Sequence, residues 1–270
     1  MDQPTPPPAL IAAIEKVLTP LVRLLVRHGI TYPALSALLK RIFVTAAEAD
    51  LGAGGGEATD SRISVMTGVH RKDVKRLRAA GTPAEPPPAL TATGTQAIGR
   101  WCGDPCYLDD DGRPLPLPRR AASGPSFDGL VESVSTDVRP RTLLDDWLRL
   151  GLVRIDDDDR IHLDTAAFVP RKGFDELAYF FGRNLHDHIS GAAANLSGAR
   201  APFLERAVFY DGLTAESVAA IEKLAREAAD DALLAVNRES QSRSDGDEGR
   251  PDATRRMTFG VYFFDTEDDE

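Results

Sequence analysis

Between Thr59 and Arg78 the chain reads TDSRISVMTGVHRKDVKRLR, and no other stretch restricts the fold as strongly. Asp60 or Ser61 can cap a first helix by accepting a hydrogen bond from its free N–H groups. Ile63, Val65, Met66 and Val69 give that helix an apolar side. Gly68 follows, and glycine takes the left-handed backbone conformation at little cost, so the chain is expected to reverse there. A second helix is predicted from about His70 to Arg78. At about 100° per residue Val74 and Leu77 share a face, with His70 close to them. Lys72, Lys75 and Arg76 point the opposite way, flanked by Arg71. Two short helices joined by a tight turn are the layout of a helix-turn-helix, whose second helix lies in the DNA major groove.

Charge supports this reading. From Ser61 to Arg78 there are six Lys or Arg and one acid, Asp73. His70, Arg71 and Lys72 crowd the first turn of the second helix, where the helix dipole disfavours positive charge by a few tenths of a kcal/mol each. A phosphate or base edge at that end would account for the arrangement; a solvated basic helix packed on its neighbour is the plainer alternative. The chain as a whole carries a net charge of −10, but the charge is segregated. Residues 16 to 78 hold eleven Lys or Arg against five Asp or Glu, whereas residues 79 to 270 are net −14. Exposed charges farther apart than about 10 Å are largely screened at ordinary salt, so a basic segment on an acidic body can still meet a polyanion.

Several classes find no support. Cys102 and Cys106 are the two cysteines, too few for a disulfide framework, and their C-x3-C spacing lacks a second ligand pair for zinc. Two free thiols are expected. His186 and His188 stand about 200° apart on a helix, so they are not expected to chelate one ion. The opening MDQPTPPPAL lacks the basic and apolar regions of a signal peptide, and no apolar run reaches the ~20 residues of a membrane span. A soluble cytoplasmic protein is expected. The glycine run Gly52–Gly56 lacks the Lys-Ser/Thr ending of a phosphate-binding loop and reads as a flexible connector. No nucleophile elbow, dinucleotide fingerprint or H-E-x-x-H motif occurs, so no enzyme, catalytic residue, metal or cofactor is expected.

In chain order, a proline-rich lead over residues 1 to 8 precedes helical periodicity from Leu10 to Leu25, kinked or restarted at Pro20. Thr31 and Pro33 open a helix with the apolar stripe Leu35, Leu38, Leu39, Ile42, Phe43 and Ala46. After the helix-turn-helix comes a proline-rich linker, residues 79 to 90, then a helix over roughly Thr93–Cys102 and a possible irregular hairpin through LPLPRR. Helices around Phe127–Val134 and Leu143–Leu150 follow, then LVRI and RIHLD as strands around Asp156–Asp159. That order matches a winged helix, but Asp145, Asp146 and the aspartate turn would repel phosphate, so this module is expected to contact protein. The last third reads as a helix over 174–197, a strand through PFLERAVFYDGL, a helix from Thr214 towards Asn237, a polar mobile stretch Ser240–Asp252, and a strand RRMTFGVYFFD.

The segments LVRLLVRHGITYPALSALLKR, TDSRISVMTGVHRKDVKRL, PSFDGLVESVSTDVRPRTLLDDWLRLGLV and FLERAVFYDGL resemble a proteobacterial family whose members carry no settled function. The resemblance covers nearly the whole chain, implies that the modules travel together, and lends no catalytic residue. The middle block is also similar, at the level of fold, to winged-helix modules of bacterial transcription regulators.

The expected fold is mainly α with small β elements (α+β). It comprises a helix-turn-helix domain over 9–80, a winged-helix-like module over 88–170 and a C-terminal α+β unit over 171–265. The expected function is a sequence-specific DNA-binding protein, a transcriptional regulator. Lys72, Lys75 and Arg76 would reach base edges or phosphates, Arg71, Arg62 and Arg78 would contact phosphate, and Ser64 and Thr67 would contact the DNA backbone. The partners expected are double-stranded DNA and a second copy joined through residues 200 to 264. The alternative is a protein-interaction adaptor whose basic helix docks an acidic partner.

Overall fold

Two prolines set where the first helices begin. Helix α1 (Pro8–Arg27) has Pro8 at its first position, and α2 (Tyr32–Ala53) has Pro33 in its first turn behind an extended Thr31. Proline lacks an N–H, and the first helical N–H groups have no partner in any case. Pro20 sits inside α1 without ending it: the helix neither stops nor restarts there. The Thr19 hydroxyl donates to the Glu15 carbonyl at 2.8 Å alongside. α1 ends at His28, with Gly29 at φ 71°.

The computed structural model describes residues 7–81, 89–164, 174–198 and 200–267. The proline-rich lead and linker fall largely outside these residues. The chain is mainly helical with a small three-stranded antiparallel sheet, and it divides into two compact units, Met1–Glu85 and Pro86–Glu270. No helix among the described residues is long and apolar enough to cross a membrane.

In the first unit α2 packs on α3 (Asp60–Thr67) and α4 (Arg71–Ala80). The core is Val44, Ala47, Ile63, Val69 and Val74, with Leu51, Ala58 and Leu77 against it. On α2 the buried face is therefore Val44, Ala47 and Leu51, one helical side, and not the longer stripe from Leu35 to Ala46. Leu38, Leu39, Ile42 and Phe43 remain exposed, as do most apolar residues of α1, which buries none. The glycine run is a helix stop and not a free connector. Gly54 donates to the Asp50 carbonyl and Gly56 to that of Leu51, with Gly55 at φ 69° between them.

The second unit begins with α5 (Ala89–Gly103), a 3-10 turn at Pro105–Tyr107 and the short strand β1 (Leu117–Pro118). Then come α6 (Phe127–Val134), α7 (Pro140–Leu150), β2 (Val153–Ile155) and β3 (Arg160–Leu163). β3 is central: it pairs with β1 (Leu117 opposite Ile161) and with β2 (Val153 opposite Leu163). LPLPRR thus supplies an edge strand, the position at which a strand tolerates proline. Trp101, Phe127 and Trp147 centre the core, with the Trp101 and Trp147 rings stacked at 6.4 Å. The Trp101 indole N–H donates to the Leu115 carbonyl at 2.9 Å, so a buried polar group is satisfied. Cys102 is buried and Cys106 exposed, both as free thiols; burial pushes the Cys102 thiol up to about 12.

Two long helices complete the unit, α8 (Phe174–Ser197) and α9 (Ala215–Asp247). α9 continues to Asp247, through the first part of the stretch expected to be mobile. Its later turns lie along α5, where Asn237 donates to the Gly99 carbonyl at 3.0 Å and Gly103 leaves no room for a Cβ beside Gln241. Side-chain pairs Arg243–Glu239 and Gln241–Asp245 support the same turns. Residues 203–210 and 255–265, expected as strands, belong to no helix and pair with no strand among the described residues.

Candidate nucleic-acid interface

The basic segment folds as a self-satisfied turn that presents one helix. Thr59, one residue before the expected caps, accepts from the Arg62 N–H at 3.3 Å and starts α3. Gly68 has φ 71° and donates to the Ser64 carbonyl at 2.9 Å. The Ser64 hydroxyl donates to the Val69 carbonyl at 2.7 Å. That of Thr67 donates to the Ile63 carbonyl at 2.7 Å and accepts from the Val69 N–H. Both hydroxyl hydrogens are thus spent inside the turn and are not free for a phosphate oxygen. Val69 and Val74 fill the space under the turn, and the His70 ring caps α4 by accepting from the Lys72 N–H at 3.2 Å.

That anchoring decides which cations face outward. Val74 is fully buried and Leu77 half-buried, so Arg71, Lys72, Lys75 and Arg76 lie on the exposed side of α4. The side chains of Arg71, Lys72 and Lys75 have no hydrogen-bond or ion-pair partner among the described residues. Arg76 pairs with Asp73 at 2.9 Å while its side chain stays 70 % exposed. Asp73 also accepts from Lys40 at 3.1 Å, and the bonds from Arg76 and Lys40 hold its carboxyl below the usual range. Lys40 escapes the motif reading because it lies thirty-three residues away on α2. The signal is its register with Val44, Ala47 and Leu51, the buried side of that helix.

Arg78 and Arg62 sit differently. Arg78 bonds Asp60 at 2.6 Å and Glu48 at 2.8 Å, so it ties α4 back to α3 and α2. The bond to Asp60, then that to Glu48, raises its pKa. Arg62 is exposed, but its guanidinium lies over Gly56, where an added Cβ would stand 2.8 Å from Nη1.

In the second unit, the helix in the corresponding place, α7, has a different surface. Leu143, Leu144, Trp147 and Leu150 are buried, and Asp145 and Asp146 pair with Arg141 and Arg149. At the β2–β3 turn Asp156 accepts from the Asp158 and Arg160 N–H groups at 3.0 and 2.9 Å and meets His162 Nε2 at 2.6 Å. The His162 bond, then the backbone bonds, lower its carboxyl to about 2. The acidic tip is therefore an organised turn as well as a charged one.

A model described as a family of unknown function (DUF6502) matches residues 8–270. The chain belongs to this family. Comparison with curated proteins and with solved structures finds no match in either. The family match spans both compact units, which agrees with the modules travelling together.

Proposed function

We propose that this family member is a sequence-specific DNA-binding protein that regulates transcription, with α3 and α4 as a helix-turn-helix and α4 in the major groove. The observation that carries the reading is the surface of α4. Arg71, Lys72, Lys75 and Arg76 stand outward together while Val74 and Leu77 clamp the other side. Cations exposed on a rigid helix cost little to bring to a phosphate or a guanine edge. Arg78, Ser64 and Thr67 act from behind in this arrangement, fixing the helix rather than touching DNA. Arg62 remains a phosphate contact beside the turn.

The second unit follows the helix–strand–helix–helix–strand–strand order of a winged helix, with β3 between β1 and β2. Its aspartate turn opposes phosphate and α7 carries no net positive charge, so it serves as a protein-contact module. A single helix-turn-helix reads few base pairs, and two copies on a two-fold axis, with recognition helices ~34 Å apart, read a palindromic site.

Selection of bound sequences from random duplexes by the purified chain tests the reading. An enriched palindrome is the expected result. Lys72→Ala, Lys75→Ala and Arg76→Ala combined should weaken binding. The log–log salt slope should fall by ~0.9 for each phosphate that the variant no longer neutralises. Unchanged affinity in that variant sinks the reading and leaves the adaptor alternative.

A further inference from the structure

Residues 203–210 and 255–265 lie outside every helix and strand, and neither makes a backbone–backbone hydrogen bond among the described residues. Both are nevertheless held on one helix. The Asn195 side chain accepts from the Phe203 N–H at 2.7 Å and donates to the Phe203 carbonyl at 3.3 Å, as a neighbouring strand would. The Arg256 guanidinium forks onto Asp187 with two bonds of 2.7 Å, and the Thr258 hydroxyl adds a third at 2.6 Å. The Tyr262 ring lies 5.6 Å from that of His188. Arg256, Thr258 and Tyr262 are all even-numbered, so that side of the segment is the one tied to α8.

The odd-numbered side carries Met257, Phe259, Val261 and Phe263, of which Met257, Val261 and Phe263 are exposed, as are Tyr262 and Phe264 on the other side. A strand with free N–H and C=O groups and an apolar side is a template for another strand. The flanking charges identify that strand. Arg255 precedes the apolar run and Asp265 ends it, and neither has a partner among the described residues. Reversed against itself about Gly260, the segment sets Arg255 opposite Asp265 twice, Met257 opposite Phe263 twice and Phe259 opposite Val261 twice. A two-fold interface requires such self-complementarity, in charge as in shape. Opposite charges directly across an antiparallel pair stabilise it.

We propose that residues 255–265 of two copies form an antiparallel strand pair on a two-fold axis at Gly260, joining the chain into a homodimer. Residues 203–210 flank the pair, since a lone two-stranded ribbon is marginal in water. The proposal rests on the two-copy part of the function given above and is independent of DNA contact by α4.

The test uses the full chain in light scattering at micromolar concentration. The wild type should show the mass of two copies. Arg255→Glu places a glutamate opposite Asp265 in both symmetric pairs and should raise the dissociation constant ~10-fold. Asp265→Arg alone should do the same, and the double exchange should restore the dimer. As a second measurement, Gly260→Cys in a Cys106→Ser background should cross-link two chains under mild oxidation. A monomeric mass overturns the proposal. So does a dimer indifferent to both charge variants that does not cross-link. DNA affinity of the same samples separates the two ideas. A monomer that binds duplex leaves the DNA reading standing, and a cross-linked dimer that binds none leaves the strand pairing standing.

Discussion

The Arg78 guanidinium, in the last turn of α4, donates to the Asp60 carboxylate at 2.6 Å, in the first turn of α3. Its other arm reaches Glu48 on α2, so one side chain links α2, α3 and α4. A network around a forked arginine is better placed to contribute than an isolated surface pair, because one ordered side chain serves two partners. Arg78→Ala should lower the melting temperature of the basic unit by a few degrees. Its effect on the DNA salt slope should be smaller than that of Lys75→Ala. Differential scanning calorimetry beside salt titrations checks this; an unchanged melting temperature with a reduced slope would return Arg78 to the DNA surface.

Gly68 gives a sharper prediction. A Cβ added there would meet no atom within 4 Å, so at φ 71° the cost of Gly68→Ala is conformational alone. An alanine held in the left-handed region should destabilise the unit by ~1–2 kcal/mol. Gly68→Asn should cost less, since asparagine visits that region more readily. Urea unfolding of both variants measures the difference, and equal stability of all three proteins would show that the turn relaxes.

Val74 and Lys75 are neighbours with opposite roles. Val74 is fully buried against α2 and α3, and truncation to alanine should cost ~1–3 kcal/mol from reduced burial and an unfilled cavity. Lys75→Ala should stay within ~0.5 kcal/mol of wild type in stability while weakening DNA binding. A reversed pattern, with Lys75 costly and Val74 silent, would mean that the helix packs by its basic side.

Asp156 makes a pH-dependent contribution. Its folded carboxyl is depressed to about 2, first by His162 and then by the backbone N–H groups of the turn. A depressed acid stabilises the fold above its unfolded value and loses that contribution as pH falls towards its folded value. The melting-temperature gap between wild type and Asp156→Asn should therefore shrink between roughly pH 4 and 2. A gap that persists at pH 2 would show that the turn does not depend on the ionised carboxylate.

The sequence by itself determined several helix starts, helix stops and chain reversals. Thr31 with Pro33, Gly29, Gly68, Thr214 and Gly151 mark starts and stops where the structure has them. Those signals act through the backbone of one to four residues, so they are readable without knowing the neighbours. The outward cations of α4 were legible for the same reason, since Val74 and Leu77 fix the side of a short helix. Tertiary structure alone decided which of two apolar sides of α2 is buried, because Val44, Ala47 and Leu51 are chosen by the helices that pack there. It decided that Arg78 meets Asp60 and Glu48, eighteen and thirty residues away, instead of standing free. It also left residues 203–210 and 255–265 without a ladder among the described residues. Strand propensity is local, but the hydrogen bonds that make a strand part of a sheet come from a neighbour, and local sequence does not name that neighbour.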